Sequence, residues 1–208
     1  MEDKVIEFFR RCVYGSSYKR DKKDIEHILM WCFSNAWRDM ARTLKPKAEY
    51  KDMLSGDKNK QDRETEILTL KNYIKDKYFN QNIVDNLKQQ KFEPIDYIKS
   101  IITDKNVKQS KMKFSFGQTQ KVVNMFFKYL YTFKDEPSVK LAEQNFDNCD
   151  CPIDSIILDK VYKTEKYKGT VWSQIDGEQY NEIQKDIQNI VDNSTKYRNK
   201  LDFEFDWE

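Results

Sequence analysis

Glycine and proline are scarce in this chain, 5 and 4 positions among 208, whereas folds made of many short strands and tight turns draw heavily on both. Histidine occurs once, at His27, which removes the two-histidine metalloprotease helix and leaves almost no room for a Ser-His-Asp arrangement. There is no phosphate-binding glycine loop and no Gly-x-Ser-x-Gly elbow, so the common nucleotidase and hydrolase chemistries lose their usual parts. The four cysteines, Cys12, Cys32, Cys149 and Cys151, are too few and scattered for a disulfide framework and point to a reducing compartment. Cys149-x-Cys151 is spaced more tightly than the usual zinc pair and has no second pair to complete it. Charge of one sign is missing too: 37 basic and 35 acidic residues leave a formal net charge of +2, which by itself selects no partner. No window reaches the roughly 18 apolar residues of a membrane span, and the opening MEDKVIEFFRRC has no apolar run behind a basic start. The expectation is a cytoplasmic chain with no membrane, metal or cofactor.

What is present favours helices. Aromatics reach 14%, far above a disordered composition, and 208 residues are enough for a sizeable core. The fold class expected is mostly α, as a single domain over residues 1–208. A short helix over 3–12 is followed by turn chemistry in YGSSYKRD. From Lys22 to Leu44, Ile25, Ile28, Leu29, Cys32, Phe33, Ala36, Trp37 and Met40 recur at three- and four-residue steps, the helical period, before KPK stops the run. Residues 52–63 read as an exposed loop. Helices are expected over 64–78, 81–90 and 94–103, then a basic connector, TDKNVKQSKMKFSF, whose lysines either meet phosphates or form a solvated face. PIDSIILDKVY predicts a helix with proline in its first turn, KGTVWSQID a short strand, and residues 178–193 a helix capped by Asp176. The tail LDFEFDWE alternates apolar and acidic residues and is expected as an edge strand or acidic arm. A short C-terminal strand pair would accompany the helices.

The least ordinary stretch is GQTQKVVNMFFKYLY, residues 117–131. As a helix it is apolar nearly all round, with one thin polar line at Lys121, Asn124 and Lys128. Lys121 reads as first-turn, where partial burial and the positive helix end disfavour the ammonium form and favour a nucleophilic amine. Asp154 reads as first-turn in the following helix, where the same dipole keeps a carboxylate ionised. An amine and a fixed carboxylate suffice to cleave an N-glycosidic bond: the amine attacks the sugar C1′ and the carboxylate stabilises the positive charge that develops on the sugar.

QKVVNMFFKYLY, followed 33 positions after Lys121 by Asp154 in CPIDSIIL, resembles the helix-hairpin-helix DNA glycosylases, most closely the archaeal 8-oxoguanine glycosylase branch. The resemblance covers residues 112–162, about a quarter of the chain, and keeps only Gly117 of the commoner Leu-Pro-Gly-x-Gly hairpin. It implies a glycosylase-like core over about 64–193, Lys121 as Schiff-base nucleophile, Asp154 as catalytic carboxylate, and DNA as partner. Gly117, Gln118 and Gln120 would meet the nucleic acid, and Asn124 and Lys128 would line the same cleft. The base is not carried over.

Outside that stretch, Trp31, Trp37, Trp172 and Trp207 are candidates to offer a face to an extruded base; Trp37 reads as core, and Trp31, off its helix stripe, is the better stacking candidate. Arg38 and Arg42 stand four apart, either as a phosphate clamp or as ordinary surface. Lys121 has its own plainer reading, a lysine snorkelling from a helix end. Two other functions fit the same residues. One is a catalytically inactive protein on this scaffold that binds nucleic acid or a nucleotide-like ligand, as in conflict between bacteria and phages. The other is a module that docks a protein partner through aromatics and an acidic tail.

Overall fold

The computed structural model describes residues 24–139, 143–161 and 167–206. The expected helix over 3–12, Cys12 and Trp207 lie outside them. Helix α1 (Ile25–Ala41) starts where Asp24 accepts the His27 amide at 2.9 Å, and it buries the expected stripe from Ile28 to Met40. After β1 (Lys45–Pro46), the segment expected as a loop folds instead into α2 (Lys51–Leu54), a turn at Asp57–Asn59 and the start of α3 (Lys60–Tyr78). Leu54 packs into the core beneath it, and Gly56 supplies the positive φ of 86° that a side chain would resist.

Helices α4 (Gln81–Lys88) and α5 (Pro94–Thr103) follow as expected, the latter with proline in its first turn. The basic connector forms α6 (Lys105–Gln109) and β2 (Met112–Lys113). Asp104 causes this. Its carboxylate accepts the Asn106 and Val107 amides at 2.7 and 3.3 Å, the Tyr73 hydroxyl at 3.0 Å, the Tyr78 hydroxyl at 2.8 Å and Lys77 at 2.5 Å. Burial alone would raise its carboxyl, but Lys77 and the two tyrosines hold it well below the usual range.

Helix α7 (Phe116–Tyr131) runs through the middle of the molecule. It packs chiefly on α1 and α5 and on a 3-10 turn at Trp172–Gln174. Every residue from Gly117 to Tyr131 is buried, polar ones included. Its aromatics join those of its neighbours, Phe126 to Phe79 at 4.8 Å and Phe92 to Phe127 at 4.3 Å between ring centroids, contacts that add about 0.5–1.5 kcal/mol each beyond area burial. Helices α8 (Ser155–Val161), α9 (Gly177–Asp192) and α10 (Lys200–Glu204) complete the described chain.

The described residues are thus mostly helical, with one two-stranded antiparallel ladder among them. The ladder pairs Lys45 with Lys113 and Pro46 with Met112, so the strand pair is not C-terminal. The tail expected as an edge strand or acidic arm instead contributes residues 201–204 to α10, where Asn199 caps it and Asp202 and Glu204 pair with Arg198 and Lys128. Likewise the 168–176 segment holds a 3-10 turn where a strand was expected. Among the described residues no helix is long and apolar enough to cross a membrane, and no cluster of metal ligands occurs.

Candidate active-site cleft

Three local devices position the cleft. The first lies at the start of α7, where Ser115 and Gln118 cap each other's backbone amides at 3.1 and 2.9 Å. The Gln118 amide nitrogen then donates to the Thr43 carbonyl at 2.9 Å, fastening α7 to the end of α1. Beside it, a Cβ on Gly117 would lie 2.2 Å from the Trp172 carbonyl oxygen. Only glycine admits that approach, and it seats Trp172 in the cleft wall.

The second device is a pair of glutamines that hold the extended segment before α8. Gln120 accepts the Ile153 amide at 3.1 Å and donates to its carbonyl at 2.8 Å. Gln184 of α9 does the same for Cys151, at 3.2 and 2.6 Å. These side chains supply the bonds a neighbouring strand would have made, satisfying buried backbone groups.

The third is Asn124, fully buried, which donates to Cys151, Gln120 and the Tyr180 hydroxyl. Tyr180 in turn donates to Asp150 at 2.6 Å, and Lys200 of α10 also binds Asp150. The network ties α7, α9 and α10 to the segment carrying Asp154.

What they frame is a cleft of about 840 Å³. Lys121, Met125 and Lys128 of α7 line it, four and three residues apart on one face. Lys121 Nζ meets Asp154 Oδ2 at 2.6 Å, while Asp154 Oδ1 accepts the Ile157 amide at 2.9 Å and so caps α8. Burial pushes the Asp154 carboxyl up, but the Lys121 ammonium, its hydrogen bond, the Ile157 amide and the charge of Lys128 outweigh it and hold the group below its ordinary value.

Deeper in, Lys128 Nζ meets Glu204 Oε1 at 2.5 Å and lies 5.1 Å from the Phe205 ring centroid. The Tyr129 hydroxyl donates to Asp39 Oδ2 at 2.5 Å, and burial pushes that phenol above its usual range. Glu204 Oε2 is buried without a hydrogen-bond partner. Arg42 and Trp172 belong to the walls, and Ile156, 59% exposed, to the rim.

The polar line on α7 therefore divides. Lys121 and Lys128 reach the cleft, whereas Asn124 turns inward as a structural brace. Lys121 is the sixth helical residue rather than a first-turn one, and it meets a carboxylate instead of apolar surroundings. Asp154 precedes α8, so Pro152 lies outside the helix.

Gly117, Gln118 and Gln120 are corrected from nucleic-acid contacts to internal ones, since their surfaces are spent on Trp172, Thr43 and Ile153. Arg42 lines the cleft but Arg38 does not, and Trp172 occupies the wall instead of Trp31, which packs against the core. Cys149 and Cys151 are fully buried, and that burial raises both thiols, so they act as small apolar groups.

Asp39 and Glu204 escaped the sequence reading. Asp39 stands between Arg38 and Arg42 and was overshadowed by them. Glu204 lies 76 positions from Lys128, in a tail whose alternation mimics a strand. Compared with known protein families, curated proteins and solved structures, the chain matches none.

Proposed function

We propose that this protein is a DNA base-excision glycosylase with lyase activity, acting through Lys121 and Asp154 on a helix-hairpin-helix-like helical scaffold. The observation that carries this reading is the 2.6 Å contact between an amine and a carboxylate on the wall of an 840 Å³ cleft, a volume within the range of about 300–1,000 Å³ usual for small-molecule sites. The nucleotide enters extruded from the stack, with Trp172 offering an aromatic surface to its base.

In the reaction the C1′–N bond breaks and its electron pair leaves on the base nitrogen, which takes up a proton. Asp154, held ionised chiefly by the Lys121 ammonium and fixed by the Ile157 amide, stabilises the positive charge on the sugar. Lys121 Nζ, having released a proton through the adjacent carboxylate to water, bonds to C1′. The C1′–O4′ bond then opens, O4′ is protonated, and loss of the second amine proton leaves a protonated imine that keeps the third. Proton loss from C2′ expels the 3′ phosphate and nicks the strand.

Borohydride reduction of the protein incubated with abasic-site DNA tests this. A covalent adduct is expected with the wild type and none with Lys121→Gln, while Asp154→Asn slows adduct formation by about 100- to 1,000-fold. Failure of the wild type to form an adduct with abasic or damaged DNA would sink the reading in favour of a non-catalytic binding protein.

A further inference from the structure

Outside the cleft, the least expected charge arrangement is the register of the ladder. Lys45 stands directly opposite Lys113, which places their Cβ atoms about 4.5–5.5 Å apart on one face, a like-charge juxtaposition that destabilises a strand pair. Both are exposed, and neither has an ion-pair partner among the described residues. Carboxylates are present nearby but engaged elsewhere: Glu66 is bonded to Lys111 at 2.6 Å, and Asp62 also acts on that lysine.

The backbone around the pair is firmly held. The Lys47 amide donates to the Lys111 carbonyl at 2.9 Å and Lys47 Nζ to the Lys108 carbonyl at 2.5 Å. The fold thus maintains two facing cations whose repulsion no ion pair among the described residues relieves.

Their position gives the repulsion a use. Arg42 lines the cleft, Thr43 is clasped by Gln118 at the head of α7, and Lys45 follows three residues after Arg42, at most about 11 Å of extended chain away. Phosphates recur every 3.4 Å or so of axis along each strand of a duplex, so a strand with one nucleotide in the cleft carries further phosphates past the ladder.

We propose that the β1–β2 ladder is a phosphate clamp, in which Lys45 and Lys113 together grip the DNA backbone beside the extruded nucleotide. The clamp rests on the DNA-binding reading above but not on its chemistry.

The test is the salt dependence of binding to a duplex containing a tetrahydrofuran abasic analogue. Lys45→Gln combined with Lys113→Gln should reduce the slope of log Kobs against log salt by about 1.8, some 0.9 for each phosphate released. The corresponding double arginine variant should retain the wild-type slope, as should Lys88→Gln combined with Lys185→Gln, which removes the same charge from other exposed positions.

A wild-type slope in the double glutamine variant, or an equal drop in the control pair, overturns the clamp. If the slope falls as expected while borohydride traps no wild-type adduct, the clamp stands and the glycosylase chemistry is lost. If the adduct forms but the slope is unmoved, the clamp alone is lost. Salt-insensitive DNA binding by the wild type would end both.

Discussion

Cleft and ladder both concentrate cations, and they treat them in opposite ways. Lys121 and Lys128 are 5% and 3% exposed and each is bonded to a carboxylate, because an ammonium taken out of water needs a partner to offset its lost hydration. Lys45 and Lys113 are exposed, face each other and have no ion-pair partner among the described residues. Water makes that arrangement tolerable by screening the repulsion. The lesson is that a lysine's surroundings, not its presence in a basic run, decide whether it is paired inside the fold or left to solvent.

Substitutions should separate the two regions sharply. Glu204→Ala would remove the carboxylate bonded to the buried Lys128 ammonium and is expected to destabilise the fold by about 3–5 kcal/mol. Lys45→Ala should stay within about 0.5 kcal/mol of wild type. Urea denaturation midpoints compare them, and equal losses would erase the distinction. On the wall between the regions, Gly117→Ala would drive a methyl into the Trp172 carbonyl, costing about 1–3 kcal/mol and moving Trp172, which tryptophan fluorescence can follow.

The pH dependence distinguishes the regions next. Because the Asp154 carboxyl is depressed from its ordinary value of 3.8, its contribution is complete above that value and is lost as pH falls through the lower folded one. Asp154→Asn should therefore flatten the acid limb of the stability profile, measured from pH 6 downward, whereas removal of the ladder lysines should leave that limb as in the wild type. The smallest effect has the opposite sign: Lys113→Glu sets unlike charges across the ladder and should stabilise it by about 0.2–1 kcal/mol while weakening DNA binding. A more stable protein that binds DNA unchanged would remove the ladder's proposed role.

Much of the fold was legible because burial imposes a period on the sequence. The stripe from Ile28 to Met40, the helix over 81–88 and the proline-started helix at Pro94 all follow from it. Lys121 and Asp154 were legible as an unusual pairing of residue types around an apolar helix. The tail misled because alternating Leu201, Phe203 and Phe205 with Asp202 and Glu204 looks half-exposed, yet all five are buried. Arg198 and Lys128 make that possible from positions no local pattern reveals. Gln118 and Gln120 misled for a related reason: an amide that hydrogen-bonds backbone is spelled the same as one that meets a nucleic acid.

By itself the sequence determined a helical chain with an apolar central helix carrying two lysines, since periodicity, composition and capping are local and act within a few residues. Which partner each charged or amide side chain meets was decided only by the tertiary structure. Those contacts join residues 33 and 76 positions apart, and the desolvation that gives them their energy exists only once the helices have packed.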